Sequence, residues 1–142
     1  MDYDYKNDIL YFCQYGYLWK YQNGVLTSLE PNMKEITKSF WSWSMAVDPI
    51  NPEVIYAGGT SSNASYYDES DVLYTILRSC DSGETWQVIS TVDNDKTVVK
   101  TGPVVGRHNI KTMFVHPETG YLWVGMANTG TYKIAPPYKL ED

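Results

Sequence analysis

The chain has 142 residues, which suffices for one ordinary domain and not for two. Its 17 Asp and Glu outnumber its 11 Lys and Arg, and the net charge of −6 argues against nucleic acid or an anionic membrane as a partner. The sequence contains no run of about 18 apolar residues, so no membrane-spanning segment is predicted. The first residues lack the basic and apolar segments of a signal peptide. The hydrophobic content of 43% predicts a folded core rather than disorder.

Short apolar and aromatic segments, separated by Gly, Asn, Asp and Pro, predict strands joined by tight turns. In chain order the predicted strands are 9–14, 17–22, 25–29, 41–47, 54–57, 72–78, 85–90, 110–115, 122–126 and 131–135. No segment keeps a 3.6-residue period over three turns, so helices contribute little. The pattern predicts an antiparallel all-β fold.

One sequence pattern occurs twice. MAVDP at 45–49 followed by VIYAG at 54–58 resembles MFVHP at 113–117 followed by YLWVG at 121–125. With the strands that follow, the unit is a four-stranded meander, which predicts a β-propeller blade of about 40 to 50 residues. The predicted divisions are an incomplete blade, 1–40, a complete blade, 41–91, a long loop, 92–109, and an incomplete terminal blade, 110–142. A closed propeller needs about four to eight blades, so we expect further blades, or further copies of the chain, as partners.

A specific turn motif lies between the third and fourth strands of the complete blade. Residues 79–86 read SCDSGETW and match S-x-D-x-G-x-T-W at all five defined positions, Ser79, Asp81, Gly83, Thr85 and Trp86. Asp81 can accept N–H groups of its own turn, and Gly83 can supply the positive φ that the hairpin needs. Its acidic residues, Asp81 and Glu84, are too few for a calcium loop. The motif predicts a folding element.

With this motif the chain resembles the Asp-box (BNR-repeat) β-propellers. AVDPINPEVIYAGG before the motif and FVHPETGYLWVGMANTGTYKI after it are most similar to the xyloglucanase-type and sortilin-type branch, over about residues 41–135. The resemblance implies a partial propeller of four-stranded antiparallel blades and favours an extracellular or cell-surface location. In that family the Asp-box lies opposite the ligand site, so its presence implies a fold and not an activity.

The candidate ligand site is expected on the face opposite the Asp-box, where the two longest irregular segments, 60–71 and 91–109, are predicted to meet. Loops on a rigid scaffold often carry function. Aromatic rings stack on sugar rings, and carboxylates accept sugar hydroxyls. The candidate ligand-binding residues are Trp41, Trp43, Tyr66, Tyr67, Asp68, Glu69, Arg107 and His108. No cofactor or metal is predicted, because the chain has two cysteines and no CxxC pair.

Structural alternatives exist for these candidates. Trp41 and Trp43 alternate with serines, which also suits a core position between blades. Only one of the adjacent Tyr66 and Tyr67 would face inward, and the acidic loop residues also suit a solvated surface. His116 replaces Asp in the repeated turn and is predicted to be structural. The two cysteines, Cys13 and Cys80, either pair or stay free.

A self-contained active site is not expected. In the xyloglucanase branch the catalytic Asp follows a strand similar to residues 55–61, IYAGGTS, and Ser61 stands at that position here. A sialidase requires three arginines, whereas this chain has Arg78 and Arg107. A glycoside hydrolase needs two carboxylates across the scissile bond, so a glycoside hydrolase-like acid and base would lie largely outside this chain.

Two functions from different classes follow. The resemblance favours a module of an extracellular, carbohydrate-active propeller that binds a polysaccharide. The alternative is a non-catalytic propeller module for protein–protein interaction or assembly, which the acidic loops and Ser61 favour. A glycan array would discriminate the two.

Overall fold

The structure, a computed structural model, describes residues 1–33, 39–62, 72–93, 110–126 and 130–140, and this part of the chain is all-β. The strands are β1 (Asp2–Asp4), β2 (Ile9–Gln14), β3 (Tyr17–Gln22), β4 (Val25–Ser28), β5 (Ser39–Val47), β6 (Ile55–Ser62), β7 (Val72–Ser79), β8 (Gln87–Asp93), β9 (Ile110–Val115), β10 (Leu122–Met126) and β11 (Gly130–Ile134). A short helix, α1 (Glu30–Met33), follows β4. The predicted all-β class is therefore confirmed.

The strands form three antiparallel meanders. The first sheet has the order β1-β2-β3-β4, the second β5-β6-β7-β8, and the third, within the described residues, β9-β10-β11. Within each sheet, every strand pairs antiparallel with its neighbour in sequence. The complete unit expected at 41–91 spans 39–93, and the rest of the predicted loop 92–109 lies outside the described residues.

The first 40 residues correct one prediction. They were expected to hold an incomplete unit, yet 2–28 form a four-stranded sheet with β1 at its edge. The Asp-Tyr-Asp sequence of β1 lacks an apolar alternation, so its pattern does not predict a strand. A tertiary contact stabilises β1 instead, because the backbone N–H of Val47 donates to the Asp2 carboxylate over 2.8 Å.

A related turn ends the first strand of every sheet. Asp4 accepts the N–H groups of Lys6 and Asn7, and Asp48 accepts those of Ile50 and Asn51. In the third sheet the Nδ1 of His116 accepts the N–H of Glu118 over 3.2 Å. The predicted structural role of His116 is confirmed, because the imidazole replaces the carboxylate as the acceptor of the turn. The shared Asp-x-x-Asn at 4–7 and 48–51 is the sequence signal that indicates β1.

The sheets pack face to face in chain order, with two hydrophobic clusters between them. One joins the first and second sheets and includes Tyr11, Leu18, Ile55 and Leu77. The other joins the second and third sheets and is lined by Ala46, Val54, Tyr56, Ile76, Ile110, Met113, Val115, Leu122, Val124 and Met126. Successive residues of the second sheet enter opposite clusters, because side chains alternate across a strand. The second sheet is therefore buried on both faces and forms the centre of the stack.

Candidate functional site

The two ends of the stacked sheets carry different features. The turn at residues 79–86, which we call the Asp-box after the sequence pattern that it resembles, connects β7 to β8 and meets the β5–β6 turn, where the Ser82 N–H donates to the Glu53 carbonyl over 3.0 Å. Trp41 lies at the other end, opposite Thr60 near the end of β6. Register therefore places the Asp-box and the candidate tryptophans at opposite ends of the second sheet, as the sequence predicts.

Hydrogen bonds close the Asp-box upon itself. Asp81 Oδ1 accepts the Ser79 hydroxyl over 2.7 Å and the Thr85 N–H over 2.8 Å, while Oδ2 accepts the Thr85 hydroxyl over 2.5 Å. Ser79 Oγ in turn accepts the Gly83 N–H over 2.8 Å. Ser82 and Gly83 have φ of 55° and 94°, the left-handed region in which glycine is least strained. These bonds make the motif a rigid turn.

Asp81 is held in its ionised form by this turn. Partial burial disfavours the charge, but hydrogen bonds from the Thr85 hydroxyl and N–H, and then from Ser79, outweigh it and lower the pKa of the Asp81 carboxyl. The carboxylate acts as a hydrogen-bond acceptor within the turn. Its contacts assign it a structural role.

The Asp-box also fastens the second sheet to the first. The Gly83 carbonyl accepts the Trp86 indole N–H and the Asn32 side-chain amide, each over 3.0 Å. Any Cβ at Gly83 would lie 2.8 Å from a Leu29 methyl carbon. Trp86 itself is buried between the sheets. The motif thus contributes to packing between sheets as well as to its own hairpin.

At the opposite end, Trp41 and Trp43 form an exposed aromatic pair. Each side chain is 44% exposed, and the ring centroids lie 6.2 Å apart at an interplanar angle of 41°. The ladder between β5 and β6 shifts register between Ser42 and Ser44, so Trp43 is the extra residue of a β-bulge. The rings lie at the surface rather than in the core, which is the placement that a ligand platform requires.

The turn between β2 and β3 extends this surface. The Ser42 N–H donates to the Gly16 carbonyl over 2.7 Å, and a Cβ at Gly16 would lie 3.0 Å from the Trp41 ring. Tyr15, at φ 51°, and Tyr17 flank Gly16 and are both exposed. We name Tyr15, Tyr17, Trp41 and Trp43 the aromatic rim. Sequence reasoning missed the two tyrosines, although the Tyr-Gly-Tyr sequence at a turn was the available signal.

The other predicted ligand-binding residues, Tyr66, Tyr67, Asp68, Glu69, Arg107 and His108, lie outside the described residues. Of the described strands that flank these residues, β6 ends, β7 begins and β8 ends at the rim end of the second sheet, whereas β9 belongs to the third sheet. Ser61 lies in β6, opposite Phe40 of β5. The structure thus brings Trp41 and Trp43 together at the end from which these segments depart.

The cysteines do not form a disulfide. Cys80 is exposed in the Asp-box, whereas Cys13 lies near the rim end, with its sulfur 3.2 Å from the Ser42 hydroxyl. Burial raises the pKa of the Cys13 thiol. In the described ranges no cluster of three metal-ligating side chains occurs. Of the helices that the structure describes, none has the length and apolar character needed to cross a membrane.

No protein-family model matches the chain, and neither does any curated protein.

Proposed function

We propose that the chain is a glycan-binding module of β-propeller architecture, with the aromatic rim as its binding surface. The observation that carries the proposal is the exposed Trp41–Trp43 pair, whose rings lie 6.2 Å apart on one strand. Two adjacent indoles offer apolar faces of the size of successive sugar rings. The ligand class we favour is a β-glucan such as xyloglucan.

The rim is built on rigid elements, which supports a binding role. The backbone bond between Ser42 and Gly16 ties β5 to the β2–β3 turn, and Trp41 packs directly on Gly16. A ring that is already held in place loses little conformational entropy when a ligand stacks on it. The β-bulge at Trp43 turns that side chain to the surface.

Replacement of Trp43 tests the proposal. In calorimetric titration with xyloglucan oligosaccharides, we expect Trp43→Ala to weaken binding about tenfold, or about 1.4 kcal/mol, because one stacking surface is removed. Tyr5→Ala is the matched control, since Tyr5 is exposed at the opposite end and its loss should leave the affinity unchanged. Equal affinity of Trp43→Ala and the native chain, or an empty glycan array, would contradict the proposal.

A protein-interaction or assembly module is the second candidate function. The observation in its favour is an exposed apolar surface on the third sheet, where Phe114 and Trp123 face away from the core. Exposed aromatic side chains that adjoin one another are typical of protein interfaces. A glycan array without hits, together with a stable protein complex that Phe114→Ser disrupts, would favour this function over glycan binding.

A further inference from the structure

An aromatic side chain faces a basic one at the same place in all three sheets. Register pairs a residue of the second strand with one of the third, and the pairs are Tyr11–Lys20, Tyr56–Arg78 and Trp123–Lys133. Antiparallel partners directly opposite each other share one face of a sheet. The three pairs therefore occupy equivalent positions of the three sheets. The strand register shows this repeat, although the residues themselves differ.

In the first sheet this pair docks on a turn of the next sheet. The Tyr11 hydroxyl and the Lys20 ammonium both donate to the Ser82 carbonyl, over 3.5 and 3.4 Å. Ser82 belongs to the turn between the third and fourth strands of the second sheet. Tyr11 is completely buried by this contact, and burial raises its pKa to about 12. The pair thus recognises the backbone of a neighbouring hairpin.

In the second sheet the equivalent aromatic residue is also covered. Tyr56 is fully buried in the cluster that joins the second and third sheets, together with Ala46, which lies opposite it on β5. In both the first and second sheets, then, the face that carries the aromatic–basic pair packs against the next sheet in the chain.

In the third sheet the same face is uncovered within the described part of the chain. Phe114 and Trp123 are 55% and 39% exposed. They lie opposite each other on β9 and β10, at the positions that Ala46 and Tyr56 occupy on β5 and β6 of the second sheet. Lys133 Nζ lies 5.3 Å from the centroid of the Trp123 ring and 4.1 Å from that of Tyr121. We name the surface of Phe114, Trp123 and Lys133 the trailing face.

The outer surface of the first sheet carries the complementary features. Its turn between the third and fourth strands is Asn23-Gly24, with φ of 51° and 78°. The equivalent turn of the second sheet, Ser82-Gly83, has similar φ values of 55° and 94°. Beside this turn lies a cavity of about 430 Å³, lined by Tyr3, Asp8, Leu10, Tyr21, Gln22, Asn23 and Gly24. Tyr21 and Leu26, opposite each other on β3 and β4, are exposed next to it. We name the surface of Asp8, Leu10, Tyr21, Asn23 and Leu26 the leading face.

We propose that the trailing face of one copy docks on the leading face of a second copy. Trp123 and Lys133 contact the Asn23-Gly24 turn there, as Tyr11 and Lys20 contact Ser82 within the chain. The charges agree with this arrangement, since Lys133 meets a cavity that contains the Asp8 carboxylate. The interface is heterologous, because two different surfaces of the chain meet.

Stoichiometry follows from the number of sheets. Two copies bring together six of the described sheets, within the range of about four to eight for closed propellers. A ring of two copies closes through two identical contacts and leaves neither face exposed. The inference uses the propeller architecture of the proposed function but not glycan binding. A dimer that binds no glycan, or a glycan-binding monomer, separates the two proposals.

Light scattering on the purified full chain tests the proposal directly. We expect twice the chain mass of 16.2 kDa, and a monomeric mass at concentrations up to about 100 µM would overturn it. Trp123→Ser and Tyr21→Ser should each give monomers, whereas Val88→Ser, at an exposed site on β8, should stay dimeric. Circular dichroism checks that each variant is folded. A mixture of the Trp123 and Tyr21 variants should form dimers, because one intact contact remains.

A charge exchange provides an independent test that keeps the aromatic side chains of both faces. Lys133→Glu alone should raise the dimer dissociation constant by about tenfold or more, because it places two carboxylates together. Adding Asp8→Lys in the same chain should restore most of the affinity, since the opposite charges then face each other again. Dimers that Tyr21→Ser and Lys133→Glu both leave unchanged would show that other surfaces associate and would overturn the proposal.

Discussion

Gly59→Ala is expected to abolish the native pairing of β5 with β6 and to lower the free energy of unfolding by about 3 kcal/mol or more. A Cβ at Gly59 would overlap the carbonyl oxygen of Trp41 and lie 2.7 Å from its carbonyl carbon. Because both atoms belong to a backbone held between two strands, no side-chain rotation relieves the overlap. Urea denaturation measures the loss, and a fall in the thermal midpoint by about 10 °C is expected with it.

Gly24→Ala is the matched control for this effect. Gly24 has a φ of 78°, but a Cβ there would meet no atom within 4 Å, so only the left-handed backbone strain of about 1 kcal/mol applies. Similar losses for the two variants would contradict the expected clash, because Gly59 does not have a positive φ and its restriction comes from the Trp41 backbone. The result bears on the aromatic rim, because Gly59 allows the backbone around Trp41 and Trp43 to adopt its bulge.

Asp81→Asn is expected to lower the free energy of unfolding by about 1 kcal/mol at pH 7, because it weakens charge-assisted bonds within the Asp-box that solvent partly screens. Burial opposes the Asp81 charge, yet the Thr85 and Ser79 bonds prevail and the pKa is lowered on folding. A lowered pKa stabilises the fold above the unfolded value of about 3.9, and this contribution disappears as the pH falls through the folded value.

The pH dependence separates this effect from a simple loss of packing. The difference in unfolding free energy between Asp81→Asn and the native chain should shrink as the pH falls below the unfolded value of about 3.9, because the unfolded chain then binds the proton before the folded one does. Glu84→Gln is the control within the same turn, because Glu84 is exposed and contributes its backbone N–H, 3.3 Å from the Asp81 carbonyl. A difference that stays constant down to pH 3 would contradict the role of the carboxylate charge.

Local sequence determined most of the secondary structure. The ranges predicted for β2, β3, β9 and β10 agree with the structure at both ends, because they are short apolar and aromatic segments bounded by turn residues. The hydrogen bonds of the Asp-box join residues at most four positions apart, so that turn can be predicted without knowledge of the fold. The same locality made the role of His116 predictable.

Tertiary structure decided β1 and the placement of the candidate site. The Asp-Tyr-Asp sequence of β1 carries no strand pattern, and its Asp2 is bonded to Val47, which is 45 residues away in the sequence. From the sequence, Trp41 and Trp43 suited either the core or the surface. The alternation of tryptophan with serine shows that the two rings share a strand face, but not whether another sheet covers that face. In the structure Trp41 lies against Gly16 of the first sheet, Trp43 lies at the β-bulge, and both rings remain at the surface. Short-range bonds and periodicity therefore follow from the sequence alone, whereas the exposure of a strand face depends on which sheet packs against it.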